Sequence, residues 1–169
     1  MEIKAVKPLH STDWLSFRQA SCRNDQGQEF KWDYIARKNG QNVVSIICHS
    51  ADSQKILLIR EFRAPMNQWV IEFPKGLIKK NETIEAASLR ELKEETGYTG
   101  RVLRVSPFLA TCAYLTNEMN AIVEIEADET RIWDTDCEKA EEIVPFWIEK
   151  KNFKNEVREF QKNNYAITE

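Results

Sequence analysis

The chain has 169 residues, 42% apolar and 30% charged, with a formal net charge of −3. That composition excludes an intrinsically disordered chain, and the length fits one domain with at most an appended element. No basic block suggests a nucleic-acid footprint, and no apolar stretch reaches the length needed to cross a bilayer.

Cys22, Cys48, Cys112 and Cys137 contain no CxxC pair and have only His10 and His49 beside them. Free thiols in a reducing cytoplasm are therefore expected, not a zinc site. MEIKAVKPLH at the start lacks the apolar run of a signal peptide.

In chain order, Ile3, Ala5 and Val6 alternate up to Pro8, enough for a short strand or arm within residues 1–12. Trp14 to Cys22 alternates as a half-buried strand. Asn24-Asp25-Gln26-Gly27 supplies turn chemistry. Residues 28–38 give a second strand, with Phe30, Trp32 and Tyr34 on one face. Asn39-Gly40 is the tightest hairpin signal in the chain and precedes the β-branched run Val43–Ile47. Ala51-Asp52-Ser53 interrupts before Lys55–Ile59, an apolar run typical of a buried strand.

A turn at Pro65 and Asn67 leads to a short strand, Gln68–Phe73, which delivers the chain to Pro74-Lys75-Gly76. A helix is expected from near Thr83 to Gly97, a glycine suited to the position after a helix end. Strands follow at Arg101–Leu109 and Asn120–Glu126, then an acidic connection at Asp128–Glu142. Ile143–Ile148 is a strand that Pro145 confines to an edge. Phe153, Val157 and Phe160 mark an amphipathic helix. The order predicts an α+β fold, a mixed sheet with helices on its faces. Residues 1–40 form an N-terminal β-hairpin region and 41–169 the main domain.

The chemistry concentrates in Gly76–Tyr98, GLIKKNETIEAASLRELKEETGY. On a helix Glu91 and Glu95 stack on one face, with Glu94 close beside. Carboxylates at this density repel one another unless cations neutralise them. Oxygen-only ligands favour Mg²⁺, with Mn²⁺ as a substitute. Gly76 lets the backbone before it approach a metal closely. The pattern G-x5-E-x7-R-E-U-x-E-E-x-G-U (U apolar) fits with no gap, Tyr98 being the one loose position. A chance match is below roughly one in 10^8 per starting point.

On these residues the chain resembles the Nudix hydrolases. The resemblance implies the Nudix fold: an α/β/α sandwich around a mixed β-sheet, here with an N-terminal antiparallel hairpin. It implies Mg²⁺-dependent hydrolysis of a nucleoside diphosphate linked to some X. The metal ligands would be Glu91, Glu94, Glu95 and the backbone carbonyl of Lys75. Arg90 and Glu82 resemble the pair that braces loop against helix, which counts Arg90 with Glu94 in the catalytic set and leaves Glu82 as support. A carboxylate is useful to take the proton from the attacking water, and Glu118, Glu138, Glu141 and Glu142 are the candidates. ADP-sugar pyrophosphatases of the family use a loop glutamate shortly before the last strand, which implies Glu141.

Outside the box, IREFRAPMNQWVIEFPKGLI resembles ADP-ribose and ADP-sugar pyrophosphatases, where an arginine at the place of Arg63 helps hold the diphosphate. Trp14 and Trp32, eighteen residues apart, match in spacing two tryptophans that sandwich adenine across a dimer in the human-type ADP-sugar pyrophosphatase. Core burial is the competing reading of both. Arg37 matches another substrate-binding arginine, and Glu118 closes a loop that shares the end of the family's pattern. Trp69, Trp133 and Trp147 are assigned to packing. The expectation is a cytoplasmic homodimer that cuts ADP-ribose to AMP and ribose 5-phosphate, without nucleic-acid or membrane partners. One departure stands against this substrate: Ala113 and Tyr114 occupy the positions of a Pro-Gly pair, and a tyrosine there marks diadenosine polyphosphate hydrolases. Those compounds, other nucleotide sugars and oxidised nucleotides are the alternatives, together with a non-catalytic ADP-ribose-binding module.

Overall fold

Residues 1–137 and 142–168 are described in the computed structural model. They fall into two units, Met1–Val43 with Phe108–Asn120, and Val44–Pro107 with the chain from Ala121 onward.

The first unit is built on an antiparallel sheet of β1 (Glu2–Ser11), β2 (Leu15–Arg23) and β3 (Glu29–Arg37), in that order. The turn between β2 and β3 forms where expected. Asn24 Oδ1 accepts from the N–H groups of Gln26 and Gln28 at 3.1 and 2.9 Å, and Gly27 takes the left-handed φ of +81° that the turn requires. β1 runs past Pro8, where the alternation had suggested a stop. Among the described residues it pairs only with β2, and its register shifts between Pro8 and His10. An edge strand with a bulge does not need the N–H that proline lacks. Within the same unit Leu109–Ala110 pairs with Met119–Asn120, and the loop they enclose bonds to β3 through Ile35 N–H to Leu115 O at 2.8 Å.

Asn39-Gly40 forms a turn, with Gly40 N–H donating to Arg37 O at 3.1 Å, but not the expected hairpin. The strand after it, β4 (Val43–Ser50), pairs in a different sheet. Val43, Val44, Ile46, Cys48 and Ser50 are all buried, so β4 belongs in a core sheet, not beside the half-exposed β3.

That core sheet continues with β5 (Lys55–Arg63), β6 (Gln68–Glu72), β7 (Lys75–Leu77), β8 (Gly100–Val105), β9 (Leu109–Ala110), β10 (Met119–Ala127), β11 (Ile143–Glu149) and β12 (Ala166–Ile167). The main order is β12-β6-β5-β4-β10-β8, with β11 on β5 and β7 on β4. β12 runs parallel to β6, whereas β5 is antiparallel to β4, β6 and β11, so the sheet is mixed. Pro145 is accommodated as expected, since β11 pairs only with β5 among the described residues.

Strand alternation sorts β5 between two cores. Leu57 packs with Val44, Ile46, Cys48, Val123 and Ile125 and with Ala87 and Leu92 of α1 (Ile84–Thr96). Ile56 and Leu58 face the other way, onto Ile71, Ile148 and Phe153 and Phe160 of α2 (Phe153–Lys162). The continuous apolar run of β5 thus reads as a strand covered on both faces, the centre of an α/β/α sandwich. α1 has the expected ends. Thr83 Oγ1 accepts from Ala86 N–H at 3.2 Å, and Gly97, left-handed at φ +73°, donates its N–H to Lys93 O at 2.9 Å. Cys22 and Cys48 are buried thiols and Cys112 a partly exposed one. Among the described residues no helix is long and apolar enough to cross a membrane.

Candidate active site

The loop leading into α1 is tied to the helix by one guanidinium. Arg90 forks onto Glu82, Nε to Oε1 at 2.8 Å and Nη2 to Oε2 at 2.9 Å, and Nη2 also donates to Leu77 O at 2.9 Å. Nη1 reaches Glu91 Oε1 at 2.7 Å and Glu94 Oε2 at 2.8 Å. These five contacts use the planar fork that lysine lacks. Glu82 in turn accepts from Lys79 N–H at 2.9 Å, which closes the loop on itself. The hydrogen bonds from Arg90, then that from Lys79, hold the Glu82 carboxyl down at about 2, against its slight burial.

Glu91 lies against Gly76. A Cβ at position 76 would sit 2.0 Å from Glu91 Cδ, so glycine is the residue that leaves room for this carboxylate. Burial pushes the Glu91 carboxyl up, Arg90 pulls it down, Glu94 adds to the rise, and the net direction is up. Glu95 is buried and accepts from Lys75 N–H at 3.1 Å. Glu91 and Glu95 therefore flank the Lys75–Gly76 backbone from one helix face.

Among the described residues no three acidic, histidine or cysteine side chains converge as a ready metal cage; Arg90 Nη1 lies between Glu91 and Glu94 instead. The residues nevertheless fit a hard divalent cation. Glu82, Glu91 and Glu94 share a single arginine, with the Lys79 ammonium 3.8 Å from Glu94 Oε1 beside it, the donors are all oxygen, and Gly76 leaves the space a cation and its ligands need.

Arg63 meets two buried glutamates, Glu72 Oε1 from Nε and Nη2, each at 2.8 Å, and Glu61 Oε1 from Nη1 at 2.8 Å. The Lys75 ammonium bonds Glu72 Oε2. Burial alone would raise the Glu72 carboxyl, but Lys75 and Arg63 outweigh it and the net direction is down. Glu61 and Glu72 were not singled out from the sequence. The available signal was a carboxylate closing the apolar run Trp69-Val70-Ile71, a setting in which glutamate is rare unless paired.

In the first unit Trp14 is 70% and Trp32 46% exposed, so core burial is not their role. Trp32 Nε1 donates to Tyr114 O at 3.2 Å. Arg37 and Glu118, expected separately, are paired with each other, Nε to Oε2 at 2.5 Å. Trp147 packs edge-on against Tyr98 and Trp69 against Phe62. Trp133 departs from its packing assignment. It is 41% exposed, with the Lys93 ammonium 4.2 Å above its ring, because it sits on a loop laid over the end of α1. Ile132 and Trp133 N–H both donate to Gly97 O at 3.2 Å, and Asp136 N–H donates to Glu94 O at 2.8 Å. The acidic connection is thus anchored on the helix as far as Cys137. Glu138 and Glu141 lie outside the described residues.

Residues 40–166 match the NUDIX domain family. Over 99% of its length the chain is 30% identical to an ADP-ribose pyrophosphatase of Saccharomyces cerevisiae, of which it spans 78%. It is 31% identical over 66% of its length to an ADP-sugar pyrophosphatase of Mus musculus, spanning 55% of that protein. Among solved structures, an ADP compounds hydrolase superposes with a TM-score of 0.75 at 18% identity, over 93% of this chain and 82% of that one.

Proposed function

The chain belongs to the NUDIX domain family, and from that premise we propose that it is a metal-dependent pyrophosphohydrolase cutting ADP-ribose to AMP and ribose 5-phosphate. The observation that carries the reading is the seat formed by Gly76 against Glu91, braced by Arg90 and flanked by Glu95. For the substrate, the support is the name of the yeast relative, matched over 99% of this chain. The reading keeps residues 1–40 as a substrate-binding and dimerisation arm and 41–169 as the hydrolase domain. Free thiols suit work in the cytoplasm.

In this reading Glu91, Glu94, Glu95 and the Lys75 carbonyl hold Mg²⁺, for which Mn²⁺ substitutes. The bound cation supplies charge neutralisation at phosphate oxygens and a more acidic water. Arg90 orients Glu91 and Glu94 through Nη1, and Arg63 holds the diphosphate. Glu141 takes the proton from the attacking water, whose oxygen bonds one phosphorus while the bridging oxygen leaves with the other phosphate. Trp14 and Trp32 offer exposed indole faces to adenine, shared between two copies of the chain. Arg37 and Glu118 contact the substrate as a pair.

Incubation with a nucleotide panel and Mg²⁺, with products separated by chromatography, tests the reaction. The expected products from ADP-ribose are AMP and ribose 5-phosphate. ADP-ribose left uncut while diadenosine tetraphosphate disappears would favour the second reading, which rests on Tyr114, 72% exposed and open to a second base. Glu141→Gln should keep the fold and lose most of kcat; near-normal turnover sinks that assignment. A monomer mass at micromolar concentration would remove the shared adenine site.

A further inference from the structure

Lys75 is held from both ends. Its backbone N–H donates to Glu95 Oε2 at 3.1 Å, and its ammonium bonds Glu72 Oε2. Glu72 has no exposed side-chain surface, and both its oxygens are engaged. Oε1 takes Arg63 through Nε and Nη2, while Oε2 takes Lys75 and accepts from the Thr168 hydroxyl at 3.1 Å. Thr168 is brought there by β12, whose Ala166 and Ile167 pair with Val70 and Ile71 of β6, and its own N–H donates to Ile71 O at 3.2 Å.

Register fixes which way this cluster faces. Ile59 pairs with Glu72, Glu61 with Val70 and Arg63 with Gln68, without a shift. By strand alternation these residues share the face of Leu57, which packs on Ala87 and Leu92 of α1. The two cations therefore lie on the side of the sheet that carries the box carboxylates, and Lys75 is the residue directly before Gly76.

An apolar residue at position 72 would fill a core site at lower desolvation cost, so a buried glutamate here needs a reason beyond packing. What it does is hold an ammonium and a guanidinium beside each other. Neither cation is consumed. Among the described residues, Arg63 keeps two of its five N–H donors and Lys75 two of its three beyond the contacts to Glu61 and Glu72, and their side chains are 32% and 28% exposed. Two adjacent cations with donors to spare suit a ligand that carries two adjacent anionic groups.

We propose that the Lys75 ammonium is a second diphosphate-binding cation beside Arg63, and that Glu72 is the positioning residue that holds both. This rests on the diphosphate-hydrolase reading above. Lys75 thus acts twice, through its backbone at the metal side and through its ammonium at the phosphate side.

The test compares wild type, Lys75→Met, Lys75→Arg and Glu72→Gln in three measurements: steady-state kinetics on ADP-ribose with Mg²⁺, Mn²⁺ affinity of the free protein by paramagnetic resonance, and calorimetric binding of inorganic pyrophosphate. Lys75→Met should raise KM and weaken pyrophosphate binding about tenfold, the effect of one charge-assisted hydrogen bond, with Mn²⁺ affinity and kcat little changed. Lys75→Arg should restore most of both. Glu72→Gln should raise KM further, because it loosens both cations. Unchanged KM and pyrophosphate affinity in Lys75→Met, or a matching loss of Mn²⁺ affinity, would overturn the proposal. If Glu72→Gln does not fold, the two lysine variants decide alone. A wild type that leaves ADP-ribose uncut but binds pyrophosphate through Lys75 would sink the substrate reading and keep the clamp.

Discussion

Glu72, fully buried, and Glu91, only partly buried, both lie on the α1 side of one sheet, and their surroundings drive them in opposite directions. Burial raises both carboxyls. At Glu72, Lys75 and Arg63 more than cancel it. At Glu91, Arg90 does not, because the same guanidinium also serves Glu82 and Glu94, and Glu94 pushes Glu91 further up. The difference is one of cation supply. Glu72 has its counter-charges within the fold, whereas Glu91 sits where the fold provides fewer cations than carboxylates, the condition under which a divalent ion binds strongly.

The same substitution at the two sites should therefore separate stability and KM, which Glu72 governs, from kcat, which Glu91 governs. Glu91→Gln is expected to lower kcat about 10³-fold, the several kcal/mol that metal-assisted charge stabilisation supplies. In chelator at pH 7 its Tm should not fall, because an ionised Glu91 is a cost to the metal-free fold. Glu72→Gln should instead lower Tm by roughly 8 °C, since it leaves two cations partly unpaired. Thermal melts of both variants without metal read the sign directly, and a fall of equal size in both would erase the contrast. Gly76→Ala comes next. Its Cβ would collide with the Glu91 carboxylate, and displacement on the order of 1 Å should cost about 10²-fold in kcat. A Gly76→Ala protein of normal turnover would show that Glu91 does not work from the position seen here.

Much of this was legible in the sequence because its causes are local. Thr83 and Gly97 bound α1 through their own hydrogen bonds, and the run at Lys55–Ile59 names a buried strand by itself. What was not legible depends on distant partners. The Asn39-Gly40 turn is chemically sound, yet the strands it joins pair elsewhere. β7, β9 and β12 span two or three residues, too few for any period to show. Alternation puts Trp14 and Trp32 on strand faces, whereas Trp14 lies in the bend just before β2 and only Trp32 is on a strand, and alternation does not say whether a face is covered. Glu72 was conspicuous in its apolar run, but Thr168 lies 96 residues away and Glu118 is 81 from Arg37; no spacing rule links such pairs.

The pH dependence of the two clusters sharpens the contrast at smaller amplitude. The Glu82 carboxyl is lowered from 4.5 to about 2. A lowered carboxyl stabilises the fold above its unfolded value and loses that contribution as pH falls through its folded value. The Glu82–Arg90 contribution should thus be complete above about pH 4.5 and disappear toward pH 2. Glu72, also lowered, adds to the same acid loss, whereas Glu91, raised, opposes it, because protonation relieves its burial. Tm measured from pH 2 to 7 should fall less steeply toward acid in Glu82→Gln than in wild type, with a deficit of about 4 °C at pH 7. Parallel curves would mean that Arg90 stabilises the loop through Leu77 and Glu94 without needing Glu82.

Thr168 offers the gentlest way to perturb the Glu72 side. Its hydroxyl gives Glu72 Oε2 one hydrogen bond, while its N–H bond to Ile71 O and the β12 pairing do not depend on the side chain. Thr168→Val keeps shape and strand propensity and removes only that donor. The loss should be about 1 kcal/mol, or about 3 °C in Tm for a chain of this size. If Glu72 transmits the loosening to Lys75 and Arg63, KM for ADP-ribose should also rise about twofold, and Thr168→Ser should restore both values. A Tm shift without a KM change would mean that the two cations alone fix Glu72, leaving Thr168 as a stabiliser of β12. A KM change without a Tm shift would make the C-terminal strand part of how the diphosphate is held.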